Sequence, residues 1–178
     1  MIFTVAWWNN FSKFVADSPI HLLAASIRAT GCREKIILLI NDVNKLPEDY
    51  YLLLNSLDVK IVNVDQMTSI ITSGYPALAS LNFYEMACFV RWLFIERYLR
   101  QYDERAKDVL IVDGDVLFLV SPGLLRQAFS GRTFVLQGCP AITFLSEPLE
   151  WLDEYLQSFG VFGRSPKAVS EALAIDKE

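Results

Sequence analysis

Three observations predict an α/β fold with a mainly parallel central sheet. Short β-rich runs at residues 2–8, 35–40 and 59–64 are apolar without a break, as strands buried on both faces should be. Stretches of helical length and amphipathic spacing separate them, and each run stops at polar residues: Asn9 and Asn10, Asn41 and Asp42, then Asp65. The resulting β-α-β-α-β order implies right-handed crossovers and helices over the sheet.

The first run, 2–8, opens into a loop at Asn9 and Asn10. Ser18 and Pro19 then suit a helix N-cap and first helical position, with Ile20, Leu23, Ala24 and Ile27 as one apolar stripe and Gly31 as the stop. Pro47 opens a second helix to about Leu57. Residues 66–81, with Gly74, Pro76 and several Ser and Thr, read as a long functional loop. A long helix over about 82–101 leads to a fourth strand, 108–112. Beyond Ser121, Pro122 and Gly123 the spacing predicts a short helical turn ending near Gly131, strands at 133–137 and 141–145, and an amphipathic helix at 148–159. The organisation expected is one domain over 1–159 and a weakly patterned tail over 160–178.

The 53% apolar content excludes disorder, and a net charge of −5 offers no electrostatic footprint for nucleic acid or anionic membrane. Cys32, Cys88 and Cys139 are odd in number and lack C-x-x-C spacing, which argues against a disulfide framework or zinc cluster and for a reducing compartment. The N-terminal stretch lacks a basic region and a long apolar run, and no segment approaches the ~18 apolar residues of a membrane span. A soluble, cytoplasmic protein is the expectation.

Chemistry shows most clearly at the end of the fourth strand, where the apolar run 109–112 meets Asp113-Gly114-Asp115. An ionised carboxylate inside such a strand would cost roughly several kcal/mol unless compensated, and a divalent cation compensates two at once. Gly114 would let the backbone bend so that both side chains aim at one point. In open parallel sheets ligands bind outside the carboxyl ends of the strands, and a nucleotide is the class this rule favours. Neither G-x-G-x-x-G nor G-x-x-x-x-G-K-[ST] follows the first strand, so phosphates would need Mn²⁺ or Mg²⁺ held by Asp113 and Asp115.

Arg91 stands on an apolar helical stripe with Ala87, Cys88, Phe94 and Ile95, where an arginine needs a partner. That partner is either a bound anion or a core carboxylate such as Asp113 or Asp108. Trp7, Trp8 and Phe11 divide between stacking on a base and ordinary core packing. His21, the sole histidine, reads as structural. Thr143, Ser146 and Glu147 are open to facing a ligand or to capping the last helix.

A strand ending in D-x-D, the following Leu-Phe-Leu-Val-Ser-Pro and the upstream Arg91-Trp92 together resemble the GT-A nucleotide-diphosphosugar glycosyltransferases, closest to the family 8-like groups. The resemblance covers about residues 1–159 and implies a three-layer α/β/α fold. It also implies a metal-dependent transferase that moves a sugar from a nucleotide diphosphosugar donor to an unidentified acceptor. By carry-over, Asp113 and Asp115 hold Mn²⁺ or Mg²⁺ and contact the donor. Trp7, Trp8, Asn9, Asn10 and Phe11 correspond to the loop that receives the base, and Arg91 to the basic residue that approaches the donor; Asp42, at a neighbouring strand end, and Gly114 are the further binding candidates. The chain departs from that pattern in having no histidine after His21 to complete a metal shell, and in carrying 138–143 in place of an N-x-G segment. Its length leaves out much of an acceptor-binding half. A non-catalytic sugar-nucleotide-binding or scaffolding relative is the alternative. TOPRIM chemistry expects a basic surface and an earlier Glu-Gly pair. A haloacid-dehalogenase-type phosphatase expects D-x-D-G-T at the first strand.

Overall fold

The computed structural model describes residues 1–6, 19–75, 78, 83–102, 105–129, 131–135, 141–163, 165 and 167. They divide between two compact units. One comprises Met1–Val64 with Arg105–Pro148, the other Asp65–Glu104 with Leu149–Glu178.

The first unit is built on a six-stranded sheet: β1 (Ile2–Ala6), β2 (Ile36–Ile40), β3 (Val59–Asn63), β4 (Asp108–Val112), β5 (Phe134–Val135) and β6 (Ile142–Ser146), in the order β3-β2-β1-β4-β6-β5. The first four strands run parallel, with Ile2 paired to Ile36 and to Leu110, and Ile36 paired to Val59. β6 is antiparallel to both β4 and β5. The fold is therefore α/β with a mainly parallel sheet, as the unbroken apolar runs predict.

Strand periodicity sorts the core. Ile2, Ala6, Ile36, Leu38, Ile40, Leu110, Val112 and Phe144 belong to one buried cluster with α1 (Ile20–Ala29) and α2 (Glu48–Ser56), which contribute Ile20, Leu23, Ala24, Ile27, Tyr50 and Leu54. The alternate side chains Phe3, Ile37, Leu39, Val109, Ile111 and Leu145 are buried as well. Burial on both sets removes the polar alternation of a one-sided sheet.

The start of α1 differs from the expectation in a way that matters. Pro19 occupies the N-cap and provides no side-chain cap, and Ser18 lies outside the described residues. The phenolic oxygen of Tyr50, on α2, instead accepts the His21 backbone N–H at 3.3 Å. It thereby takes one of the helix's orphan donors. Burial raises the Tyr50 pKa and the backbone N–H groups of His21 and Ile20 lower it, with a net rise. Tyr50→Phe is expected to cost about 0.5–1 kcal/mol in urea unfolding, the size of a lost cap. At the other end Gly31 has φ +81 and its N–H donates to the Arg28 carbonyl, closing the helix as read from sequence.

The amino edge of the sheet is held by Arg126 on the short helix α5 (Pro122–Phe129), labelled here after α3 (Asp65–Gly74) and α4 (Phe83–Tyr102). Its guanidinium forks onto Glu34 through Nε (2.9 Å) and Nη2 (2.6 Å), donates to the Met1 carbonyl at 3.0 Å, and pairs with Asp108. Burial pushes the Glu34 pKa up. Arg126 and the Met1 amino group together outweigh that and leave it lowered. A lowered carboxylate contributes stability that is present above its ordinary value and drains away as pH falls through the folded one. Wild type should therefore lose stability more steeply than Glu34→Gln below about pH 4.5, read from urea midpoints between pH 6 and 3.

The second unit holds α3, α4 and α6 (Pro148–Gly163). α3 replaces the part of the expected 66–81 loop up to Gly74; residues 76, 77 and 79–81 lie outside the described residues. Ser and Thr lower helix propensity in this stretch, but Asp65 complements the first turn and Ile71 is buried, so packing overrides propensity. α6 likewise continues through Gly163, into the stretch read as a tail. Trp92, Trp151, Tyr155 and Phe159 form an aromatic ladder, with Trp151 and Tyr155 stacked at 5.6 Å and Tyr155 and Phe159 at 5.8 Å. Among the described residues no helix is long and apolar enough to cross a membrane.

Candidate functional site

Strand order fixes where a ligand could sit. The connection from β1 leads to β2 on one side, whereas β4 enters on the other side of β1, so the chain reverses its direction of growth between β1 and β4. That crevice, outside the carboxyl ends of the strands, is the topological switch point of the sheet. Asp113-Gly114-Asp115 leaves β4 at this edge, and the residues that leave β1 beside it are 7–18. Trp7, Trp8, Asn9, Asn10 and Phe11 fall in that stretch and lie outside the described residues.

The two aspartates are not inside the strand. β4 ends at Val112, Asp113 is half-buried and Asp115 is exposed. The Asp113 N–H donates to the Ala141 carbonyl at 2.9 Å, and the Val116 N–H closes a turn onto the Asp113 carbonyl at 3.2 Å. The desolvation argument from sequence thus applies only weakly. What the turn does supply is a backbone fixed by hydrogen bonds, with the two aspartates on it at the end of β4. The φ of Gly114 is not positive, since Gly31 and Gly131 alone are so among the described glycines, and the bend does not use glycine's left-handed freedom.

Downstream the turn is anchored again. Phe118 enters the core, and its backbone N–H donates at 3.0 Å to Ser26 Oγ on α1, which itself donates to the Leu23 carbonyl at 2.7 Å. Ser26 is a positioning residue that sequence reading missed; a serine in the middle of a helix gives no hint of a partner 92 positions away. A carboxylate pair on such a turn suits a hard cation such as Mg²⁺ or Mn²⁺, which takes one or two carboxylates and completes its shell with water and phosphate oxygens. Among the described residues no group of three or more His, Cys, Asp or Glu forms.

Asn41 and Asp42 end β2 at the same edge. One strand separates β2 from β4, so their ends are roughly 10 Å apart. Asp42 has φ 49, in the left-handed region that Asp tolerates, and pairs with Lys45 Nζ at 2.8 Å. His21 meets Tyr50 edge-on, with ring centroids 5.6 Å apart, beside a small 240 Å³ hollow that Asp49 also lines. That contact is structural in kind, matching the reading from sequence.

No family model and no curated protein matches this sequence.

Arg91 belongs to the helical unit, where its guanidinium lies over the Trp92 ring at 4.8 Å. It is also near enough to Tyr155 to lower that phenol's pKa, although burial dominates and the net shift is upward. Of the two carboxylates named for it from sequence, Asp108 pairs with Arg126. Asp65 is the exposed first residue of α3. Thr143 is fully buried opposite Ile111 and does not line the crevice.

Because β6 is antiparallel, Ser146 pairs with Asp108 and emerges, with Glu147, at the amino edge, away from Asp113. There the two border a separate cavity of about 590 Å³ together with Lys107 and Arg126. Strand direction, which apolar patterning does not encode, removes the ligand-facing alternative for these two in the D-x-D crevice.

Proposed function

We propose that this chain is a GT-A-type nucleotide-diphosphosugar-binding domain of a glycosyltransferase, in which Asp113 and Asp115 hold Mn²⁺ or Mg²⁺ against the donor diphosphate. The observation that carries the reading is a backbone-anchored D-x-D turn at the switch point of a mainly parallel sheet. The bound cation would neutralise charge that develops on the diphosphate leaving group.

This chain's own part is positional. β4 and the Ala141 carbonyl fix the turn on one side, and Phe118 with Ser26 fixes it on the other. The roughly 10 Å between the ends of β2 and β4 matches the span of a nucleoside next to its diphosphate. A three-layer arrangement with the helices over both sheet faces belongs to the same proposal, supported by burial of both sets of strand side chains.

The test is release of nucleoside diphosphate from a panel of nucleotide diphosphosugars with Mn²⁺, with and without candidate acceptors. Metal-dependent release that Asp115→Asn abolishes is the expected result. Binding without release across the panel would identify the sugar-nucleotide-binding relative instead, and absence of both would overturn the proposal.

A further inference from the structure

Residues 116–125 contain no charged side chain, in a sequence of which 21% is charged. Within this run Phe118 is buried, whereas Leu117, Val120 and Leu124 are about half-exposed and Leu119 is 94% exposed. A leucine this open stands at a tip rather than in a groove. Its base is fixed, because the Phe118 N–H is held by Ser26 and the Leu124 N–H donates to the Ser121 carbonyl at 2.9 Å. The segment is a supported apolar projection from the sheet unit.

We propose that this projection dips into the interfacial region of a lipid layer with neutral headgroups. The shape argues against a small-molecule site, which would be concave. Its size argues against a second copy of the chain. Four partly exposed side chains offer on the order of a few hundred Å², against the ~800 Å² per partner that a standard protein interface buries. Lipid insertion needs no matched surface and scales with the apolar area submerged. An uncharged tip enters the headgroup region without desolvating an ion, and the net charge of −5 selects neutral over anionic lipid. The inference does not depend on the metal site.

Co-sedimentation of the full chain with phosphatidylcholine vesicles tests it. Wild type should partition to the vesicles and Leu119→Glu should bind about tenfold more weakly or less, with adding phosphatidylserine weakening rather than strengthening wild type. Leu119→Glu should melt with wild type, since that side chain is already in water, so lost binding cannot be ascribed to misfolding. Wild type that stays in the supernatant at millimolar lipid would overturn the proposal. So would a wild-type dimer, seen by sedimentation velocity, that Leu119→Glu dissociates.

Discussion

Replacing Arg28 by alanine is expected to lower the unfolding free energy by about 3 kcal/mol, a large loss for one polar side chain. Its guanidinium donates to the carbonyls of Leu57 (2.9 Å), Cys32 (3.1 Å), Glu34 (2.8 Å) and Asp58 (3.0 Å). One planar fork thereby ties the ends of α1 and α2 to the chain entering β2 and β3. Charge-assisted bonds contribute about 1.5–3 kcal/mol each in isolation, but four bonds from one group are not additive, and carbonyls near the surface can turn to water. The Arg28 side chain is only 10% exposed, so little water competes before substitution. Its ion pair with Asp58, at 3.5 Å and with Asp58 largely in solvent, should contribute little, and Asp58→Asn should stay within about 0.5 kcal/mol. Lysine has three donors on one atom and cannot reproduce the fork, so Arg28→Lys should recover less than half of the loss. For a chain of this length the alanine variant's Tm should fall by roughly 6–12 °C. A urea-derived loss under about 1 kcal/mol would show that the fan of bonds is incidental.

Arg28 also illustrates what the sequence could and could not express. The strands of the sheet were legible because burial on both faces leaves an unbroken apolar signature, and β2, Ile-Ile-Leu-Leu-Ile, carries it most plainly. Parallel pairing among β1, β2 and β3 followed from helix-length connections. The reversal of β6 did not, because a short strand between loops carries the same pattern in either direction, and that reversal sends Ser146 and Glu147 to the wrong edge for the crevice. α3 was hidden for another reason: its Ser and Thr residues favour loops locally, and burial of Ile71 with Asp65 at the first turn outweighs them. The D-x-D was found by motif and located correctly at a strand end, yet the energetic reason first given for it was too strong. The aspartates follow the strand instead of lying within it. Long-range polar contacts, such as Arg28 to Asp58, Tyr50 to His21, Ser26 to Phe118 and Arg126 to Glu34, leave no periodic trace and were invisible.

Asp115→Asn is expected to erase the metal-dependent stabilisation by donor while leaving the unliganded protein nearly unchanged. Asp115 is exposed, so the apo variant should unfold within about 0.5 kcal/mol of wild type. A donor present at a hundred times its Kd stabilises the folded state by about 2.7 kcal/mol, or roughly 5–11 °C in Tm for a chain of this size. An amide is a poor ligand for Mg²⁺ or Mn²⁺ compared with a carboxylate, and the charge it removes is the one that draws the cation to the turn. Asp113→Asn should lose the same increment. The backbone bonds of Asp113, to the Ala141 carbonyl and from the Val116 N–H, remain available to hold its turn. Asp115→Asn separates ligation from folding: it keeps the apo Tm, and both variants lose the Mn²⁺-dependent shift that chelation removes from wild type. A donor shift that persists unchanged in both variants, or in wild type after chelation, would remove the cation from the site and leave the D-x-D as a turn.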